Sequence, residues 1–283
     1  MDKNPVVSIV TPSYNQGQFL EATILSVLNQ DYPQVEYIII DGQSDDDSPN
    51  IIRKYANRLA YWTSQPDQGQ TDALAKGFAQ ASGNIIAWLN SDDVYLSSQV
   101  ISDVVSLFQQ YQQVDAVTGG GIAISKSGQW LRQNLPPSDR VHFGQLRYRN
   151  WLVQPATFFR CEIIQTLPLD HDLHYVFDWD FFIRLSKNYN ILVVDKVWAG
   201  YRMWGQNKTA RGDAMRVREL AEVTGRYLGT QSWQYWTLLF FYILYHSGEK
   251  ILPNSSRKPF RFVLRELSRG LSRLSYKRFP LLY

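Results

Sequence analysis

Residues 85–93 read Ile-Ile-Ala-Trp-Leu-Asn-Ser-Asp-Asp, an apolar run that ends abruptly in polar side chains. The apolar part has the length and composition of a buried β-strand. Two adjacent carboxylates, Asp92 and Asp93, follow closely after that strand. Carboxylate oxygens are hard ligands, which suit Mg²⁺ or Mn²⁺ better than zinc. The stretch therefore indicates a divalent-cation site, and the alternative is a solvated turn that caps the helix near Ser97.

Similar apolar runs alternate with helical patterns through the first half of the chain. The strand-like runs cover residues 6–10, 37–40, 59–63 and 85–89. Alternation of this kind with short loops predicts an α/β fold on a mostly parallel sheet flanked by helices. In such sheets a ligand binds beyond the carboxyl ends of the strands. Those ends carry the polar segments Thr11-Pro12-Ser13-Tyr14, Asp41-Gly42 and Asn90-Ser91-Asp92-Asp93.

Composition and motifs exclude several classes of protein. With 45% hydrophobic and 19% charged residues, the chain of 283 residues is typical of a globular protein. Its one cysteine, Cys161, excludes an internal disulfide and a cysteine-based metal cluster. The sequence has no P-loop motif, and the glycines at 119–121 lack the spacing of a dinucleotide-binding loop. Residues 1–5 do not resemble a signal peptide, so a cytoplasmic location is expected.

Four segments, in order, resemble the family-2 glycosyltransferases of the GT-A fold. They are 7–15 (Val-Ser-Ile-Val-Thr-Pro-Ser-Tyr-Asn), 36–46 (Glu-Tyr-Ile-Ile-Ile-Asp-Gly-Gln-Ser-Asp-Asp), 67–77 (Asp-Gln-Gly-Gln-Thr-Asp-Ala-Leu-Ala-Lys-Gly) and 88–93 (Trp-Leu-Asn-Ser-Asp-Asp). The resemblance extends over residues 1–210 and implies a GT-A mixed sheet flanked by helices. We therefore expect a GT-A catalytic domain at 1–212.

The resemblance also implies roles for individual residues. Asp93 would bind the metal, Asp92 would contact the donor ribose or share the metal, and Asp41 would recognise the nucleobase. The other donor-binding positions would be Thr11, Pro12, Ser13 and Tyr14 around the base, Gly69, Asp72 and Lys76 beneath the donor, Gln154 near the sugar and Arg202 near the diphosphate. Trp204 stands where the family often has a His, so no imidazole ligand is expected there.

Residues 177–185, Phe-Asp-Trp-Asp-Phe-Phe-Ile-Arg-Leu, resemble the family segment that holds the catalytic base. The resemblance makes Asp178 the base, with Phe177 in the place of the usual Glu. A carboxylate suits this role because inversion at the anomeric carbon requires a group that takes the proton of the acceptor hydroxyl. At a helix N-terminus, Asp178 is expected to have a lowered pKa. Asp180 precedes Arg184 by four residues, which predicts a helical ion pair.

Together these features predict an inverting glycosyltransferase that depends on Mn²⁺ or Mg²⁺ and uses a nucleoside-diphosphate sugar, with UDP as the expected nucleotide. The acceptor is expected to be a saccharide or a lipid-linked molecule, as in bacterial polysaccharide or glycolipid assembly. A nucleotidyltransferase is one alternative, although the chain lacks a basic glycine-rich loop near its N-terminus. A non-catalytic nucleotide-sugar-binding protein is another, because Phe177 and Trp204 depart from the family pattern.

The C-terminal part of the chain is basic. Residues 250–283 contain nine Lys or Arg and one acid, so they carry +8 in a chain whose net charge is +3. The slightly acidic remainder argues against nucleic-acid binding. Arginines recur every four residues from Arg257 to Arg273, beside a separate apolar stripe. This pattern is typical of a helix that lies on an anionic membrane surface.

Residues 233–245 form the most apolar run of the chain, and they are too few to cross a bilayer as a helix. We therefore expect a helical, basic, amphipathic extension at 213–283 that attaches the enzyme peripherally to the inner face of the plasma membrane. The alternative is that these helices pack on the catalytic domain or on a second subunit.

Overall fold

The computed structural model describes residues 4–205, 208 and 214–251, and within them the predicted α/β fold is confirmed. The strands are β1 (Val7–Ser13), β2 (Val35–Asp41), β3 (Tyr61–Ser64), β4 (Ile85–Trp88), β5 (Val94–Tyr95), β6 (Ala116–Ile124), β7 (Trp130–Asn134), β8 (Thr157–Arg160) and β9 (Ile191–Arg202). The α-helices are α1 (Gly17–Leu28), α2 (Ser48–Tyr55), α3 (Gln70–Gln80), α4 (Val100–Gln110), α5 (Phe143–Leu146), α6 (Glu162–Thr166), α7 (Phe177–Asn188), α8 (Ala214–Leu228) and α9 (Trp233–Ile251).

The strands form one mixed sheet in the order β3-β2-β1-β4-β8-β6-β9-β5, and β7 pairs with β6. The first four strands in this order are parallel to one another. Strand β8 runs antiparallel to both β4 and β6, whereas β6 and β9 are parallel. The carboxyl ends of β1, β2 and β4 therefore meet at one edge, as the sequence predicts.

The second half of the sheet differs from the sequence prediction in detail. A strand is expected over 152–159, but Gln154–Ala156 forms a 3₁₀ turn before β8 because Pro155 has no N–H for a sheet bond. The sequence predicts two short strands, at 116–117 and 121–125, but one continuous strand, β6, contains the glycines at 119–121. A Cβ on Gly119 would lie 2.6 Å from the ring of Trp198 on β9, so close packing explains this glycine.

Apolar side chains pack in two clusters that take alternate residues of the central strands. Val7 and Ile9 of β1 belong to the cluster that includes α1 and α4, and Val10 belongs to the cluster that includes α3 and α7. Trp88, which is 1% exposed, is central to the second cluster, where its ring stacks on Phe182 with centroids 5.9 Å apart. This packing fixes α7 beneath the end of β4.

Helix α8 packs on the catalytic core. Val223 is fully buried in the second cluster, and the Tyr227 hydroxyl donates to the carboxylate of Asp180 on α7 at 2.7 Å. The domain boundary after residue 212 stays a prediction. None of the helices that the structure describes has both the length and the apolar character that spanning a bilayer requires. The predicted basic helix at 257–274 lies outside the described residues.

Candidate functional site

The candidate site begins at the carboxyl end of β2. Asp41 ends this strand, and Ser13 and Ser64 lie beside it in register. The fully buried Asp41 carboxylate accepts hydrogen bonds from the Ser64 hydroxyl at 2.7 Å and from the Ser44 hydroxyl and N–H at 2.6 and 2.9 Å. A carboxylate accepts about four hydrogen bonds, and the residues that the structure describes supply three of them. The contact of Asp41 with a nucleobase stays a prediction.

The four residues predicted to line the base pocket lie at the end of β1 or just after it. Thr11 and Pro12 are buried, and the hydroxyls of Thr11 and Tyr37 are hydrogen-bonded at 3.0 Å. The Ser13 hydroxyl is buried and has no hydrogen-bond partner among the described residues. Tyr14 is 63% exposed. Of these four residues, Ser13 therefore has a hydroxyl and Tyr14 an exposed ring that could contact a ligand.

The predicted residues beneath the donor lie at the start of α3. Gly69 has φ +111°, a backbone region that favours glycine, and it directly precedes the helix. The Asp72 carboxylate accepts the Gln68 N–H at 2.9 Å and pairs with the Lys76 ammonium at 2.9 Å. Asp72 and Lys76 are thus held by each other in the first turns of α3.

Asp67 is a further acidic residue at this edge, and it received no role from the sequence. Its carboxylate accepts the Gly69 N–H at 2.8 Å. A Cβ on Gly42 would lie 2.6 Å from the Asp67 Oδ2, so a glycine after Asp41 is needed for this approach. Burial raises the pKa of Asp67, and the charge of Asp41 adds to the shift. The signal in the sequence is an Asp two residues before a helix-entry glycine.

Residues 90–93, which we call the cation motif, follow β4, and the carboxylates of Asp92 and Asp93 lie in this turn. Asp93 is 5% exposed; its Oδ1 accepts the backbone N–H of Arg202 at 3.0 Å and its Oδ2 accepts the Asn90 amide at 3.2 Å. The Oδ2 of Asp92 accepts the indole N–H of Trp204 at 3.2 Å. The Thr23 hydroxyl lies 2.7 Å from the Asp93 carbonyl oxygen and so ties this turn to α1.

The electrostatics of this pair fit a bound cation. Burial raises the pKa of Asp92, and burial together with the charge of Asp92 raises the pKa of Asp93 well above its usual range. A divalent cation would offset both effects. Among the described residues no group of three or more His, Cys, Asp or Glu could hold a metal. These two carboxylates would therefore share an ion with donor phosphates and water, as is usual for Mg²⁺.

Arg202 is buried beside the cation motif. Its Nε donates to the Asp92 carbonyl at 3.0 Å, and its terminal nitrogen donates to the Ser125 and Lys126 carbonyls at 3.1 and 2.9 Å. The guanidinium also lies 4.6 Å from the centre of the Phe19 ring. These bonds engage the guanidinium with the protein, so its contact with a diphosphate stays a prediction. Its charge still lies next to both carboxylates.

A chain of side-chain amides crosses the site. The Asn90 amide nitrogen donates to Asp93 and, at 3.0 Å, to the side-chain oxygen Oε1 of Gln154. The Asn90 oxygen accepts the Gln70 amide at 2.7 Å, and the Gln70 oxygen accepts the Lys208 ammonium at 3.1 Å. The sequence predicts a contact with the donor sugar for Gln154 and places Asn90 in the polar segment after β4, but it gives no role to Asn90, Gln70 or Lys208. A single Asn or Gln does not form a motif, so no signal in the sequence predicts this row of hydrogen-bonded side chains.

Asp178, the predicted base, is the second residue of α7 and is partly buried. Its Oδ1 accepts the Trp179 N–H at 2.8 Å. Burial raises the pKa of Asp178, and this effect exceeds the opposing effects of the Trp179 N–H and the charges of Lys208 and Arg216. The expectation of a lowered pKa was wrong, because desolvation outweighs the helix N-terminus. The predicted pair of Asp180 with Arg184 is present at 2.8 Å.

Lys208 is a cation that sequence reasoning missed. Its ammonium lies over the rings of Tyr175 and Phe177, 5.7 and 5.5 Å from their centres. Burial lowers the pKa of Lys208 to about 8, against the opposing charges of Glu219 and Asp178. The aromatic ring of Phe177, in place of the usual Glu, thus contacts a cation beside the predicted base.

Comparison with known sequences gives a consistent family. The family described as "Glycosyl transferase family 2" matches residues 8–166. An uncharacterized glycosyltransferase of Mycobacterium tuberculosis is 30% identical over 188 residues, which are 66% of this chain and 71% of the relative. A PGL/p-HBAD biosynthesis glycosyltransferase of Mycobacterium bovis is 26% identical over 65% of this chain and 71% of its own. A putative teichuronic acid biosynthesis glycosyltransferase of Bacillus subtilis is 37% identical over 31% of this chain and 36% of its own.

Solved structures share the fold at low sequence identity. S. aureus TarS 1-349 in complex with UDP has a TM-score of 0.61 at 16% identity, over 96% of this chain and 87% of that one. The chain spans 44% of a longer TarS structure. The mannosyltransferase PcManGT from Pyrobaculum calidifontis, in complex with GDP-Man and Mn²⁺, has a TM-score of 0.60 at 16% identity, over 94% and 75% of the two chains. The predicted GT-A fold is therefore confirmed.

Proposed function

Because the chain belongs to glycosyl transferase family 2 and is a glycosyltransferase, we propose that it transfers a sugar from a nucleoside-diphosphate donor to an acceptor hydroxyl with inversion. The observation that carries this proposal is the hydrogen-bonded chain from Asp93 through Asn90 and Gln70 to Lys208. These hydrogen bonds connect Asp93 to Lys208, whose charge acts on Asp178, and this supports the assignment of both acidic groups to one site.

The donor would bind along the carboxyl edge of the parallel strands. UDP is the expected nucleotide, since it is bound in the TarS structure, while GDP-Man in PcManGT keeps a guanosine donor as the second choice. The Ser13 hydroxyl, which is buried and has no partner in the part of the chain that the structure describes, and the exposed ring of Tyr14 support a base pocket there. The other proposed donor contacts are Thr11, Pro12, Asp41, Gly69, Asp72, Lys76, Asp92, Gln154 and Arg202.

Asp92 and Asp93 would hold Mn²⁺ or Mg²⁺, which when bound would offset the charge of the departing diphosphate. Support comes from the adjacent carboxylates of Asp93, which is buried, and Asp92, which is half-buried, and from their raised pKa values. The Asn90 amide and the Arg202 N–H would orient Asp93, and the Trp204 indole would orient Asp92. Such hydrogen bonds fix the direction of a ligand oxygen.

Asp178 would act as the general base. It would take the proton of the acceptor hydroxyl as that oxygen bonds to the anomeric carbon and the bond from this carbon to the diphosphate breaks. The raised pKa of Asp178 makes its carboxylate a stronger base than an ordinary one. The neighbouring Lys208 charge favours the ionised form that the step requires.

We propose further that the acceptor is a saccharide or a lipid-linked molecule of polysaccharide or glycolipid assembly, and that the enzyme attaches peripherally to an anionic membrane. The biosynthetic names of the relatives support the acceptor class. Helix α9 supports the attachment, because four large apolar side chains on it are about half exposed: Trp233 (47%), Trp236 (59%), Phe240 (58%) and Ile243 (53%). The opposite face, with Leu238 and Phe241, is buried.

A donor panel tests the reaction. The full chain is incubated with UDP-, GDP- and TDP-sugars, with Mn²⁺ or with EDTA, and the released nucleotide is identified. We expect metal-dependent release of one nucleoside diphosphate and, once an acceptor is found, a product of inverted anomeric configuration by NMR. Pyrophosphate release would indicate a nucleotidyltransferase, and donor binding without turnover would indicate a binding protein; either result contradicts the proposal.

A further inference from the structure

Glu219 on α8 is a buried carboxylate with an unusual set of partners. It is 1% exposed. Its Oε1 accepts the backbone N–H of His174 at 2.9 Å, and its Oε2 accepts those of Tyr175 at 2.6 Å and Val176 at 3.2 Å. Three consecutive amides of one segment thus converge on one carboxylate that lies more than 40 residues further along the chain.

These amides belong to the segment that leads into α7. Val176 directly precedes the helix, and the N–H groups at a helix start have no acceptor within the helix. A carboxylate is the favoured acceptor there, because it also meets the positive end of the helix dipole. A buried carboxylate is costly to leave unpaired. The Glu219 bonds therefore fix the backbone of this segment in one position.

The anchored segment borders the proposed chemistry on two sides. Asp178 follows it by two residues, and the ring of His174 lies close enough to the start of α3 that a Cβ on Gly69 would be 3.6 Å from it. The Tyr175 ring lies beneath the Lys208 ammonium, whose charge interacts with both Glu219 and Asp178. A shift of this segment would therefore change the position of the base relative to the Lys208 cation.

We propose that Glu219 is a positioning residue for transfer: by fixing residues 174–176 it sets the place of the Asp178 carboxylate, so that α8 is a functional part of the site. The inference rests on the proposed function, in which Asp178 is the base. Displacing a reacting group by about 1 Å is enough to lower a rate on the order of 100-fold. Glu219 thus acts through Asp178 and not on the substrate itself.

Glu219→Gln tests this proposal, because it keeps the shape but turns an N–H donor toward backbone N–H groups. Glu222→Gln is the matched control, since Glu222 lies on the same helix and pairs with Arg226 at the surface. We expect kcat for donor turnover to fall about 10- to 100-fold in Glu219→Gln, with an unchanged Kd for the donor by calorimetry. Hydrogen exchange should accelerate at residues 174–176 and not elsewhere, and the control should match the parent.

Three results would overturn the inference. The first is unchanged hydrogen exchange at 174–176, and the second is an unchanged kcat despite faster exchange there. The third is a loss of donor affinity together with a loss of exchange protection throughout the chain, because that result would indicate a structural role only. Should Glu219→Gln fail to fold, Glu219→Asp keeps the carboxylate and is expected to show the same local exchange with a smaller loss of kcat. Full activity of Asp178→Asn would instead disprove the assignment of Asp178 as the base. The hydrogen-exchange result distinguishes that outcome from a failure of the Glu219 proposal, because exchange does not depend on turnover.

Discussion

Trp204 donates its indole N–H to the Oδ2 of Asp92 over 3.2 Å, at the position where the family resemblance leads one to expect a His. An indole nitrogen is a donor only and cannot bind a metal. Trp204 therefore orients a carboxylate of the cation motif instead of adding a ligand to it. The ring is itself held by an edge contact with Phe19, at 5.0 Å between centroids.

Trp204→Phe is expected to weaken Mn²⁺ binding about tenfold, because loss of an outer hydrogen bond to a ligand commonly costs 10- to 100-fold in affinity. Electron paramagnetic resonance titration of Mn²⁺ in the presence of UDP measures the change. Trp130→Phe is the control, since Trp130 lies on β7 and is 72% exposed. Equal Mn²⁺ affinity of the two variants would contradict the orienting role.

Asp93→Ala and Asp178→Asn are expected to fail in different ways. Loss of the Asp93 carboxylate should abolish metal-dependent turnover. Loss of the Asp178 carboxylate should leave donor binding nearly intact and remove transfer, because the base acts on the acceptor. Donor Kd by calorimetry and nucleotide release separate the two effects. Weakened donor binding in Asp178→Asn, with transfer preserved at high donor concentration, would show that the roles are assigned wrongly.

The pH dependence of transfer should have two limbs. As the pH falls, Asp178 gains a proton and the rate drops at a higher pH than for an ordinary aspartate, because burial raises its pKa. As the pH rises, Lys208 loses its proton with a pKa of about 8. Transfer is therefore expected to be fastest between the pKa of Asp178 and the pKa of Lys208. Measurement of kcat across the pH range tests this expectation.

Lys208→Met should remove the alkaline limb of this profile. It should also move the acid limb to higher pH, since the Lys208 charge lowers the pKa of Asp178 and its loss leaves the effect of burial opposed less strongly. Lys187→Met is the control, because Lys187 lies in the last turn of α7, the helix that begins beside Asp178. A profile of Lys208→Met with both limbs in place would exclude Lys208 from the site chemistry.

The strands and the cation motif could be predicted from sequence because their signals are local. Asp41, Asp92 and Asp93 follow apolar runs directly, and parallel strands bring such ends to one edge. Lys208 and Glu219 could not be predicted in this way, because their roles depend on contacts with residues far along the chain. The predicted direction of the Asp178 pKa shift was wrong for a related reason. The sequence predicts the helix N-terminus, but it does not predict the burial whose effect on the pKa is larger.

Tyr227→Phe tests whether α8 is integral to the catalytic fold. The Tyr227 hydroxyl donates to the buried Asp180 carboxylate, which Arg184 also pairs with. Loss of one donor to a buried charge should lower the free energy of unfolding by about 1–3 kcal/mol, measured by urea denaturation. Tyr14→Phe is the control, because Tyr14 is largely exposed. A loss no larger than that of the control would contradict this coupling.

Attachment to membrane should depend on the exposed apolar stripe of α9 together with the basic residues beyond it. Residues 229–248 contain no Asp, Glu, Lys or Arg, and residues 250–283 carry nine positive charges and one negative charge. Trp and Phe on an interfacial helix enter the boundary of the acyl chains, while neighbouring cations bind anionic headgroups. Salt weakens the second contribution and not the first.

Co-sedimentation with phosphatidylcholine vesicles, with and without phosphatidylglycerol, measures both contributions. The parent chain is expected to bind the anionic vesicles, and the double variant Trp236→Ala/Phe240→Ala to bind them less at low and at high salt. Trp130→Ala/Leu131→Ala is the control, because it removes two exposed apolar side chains from β7. A chain shortened after residue 251 should keep only the salt-resistant part. Parent-like binding by the α9 variant would exclude the stripe, and it would favour packing of α9 on the tail or on a second copy of the chain.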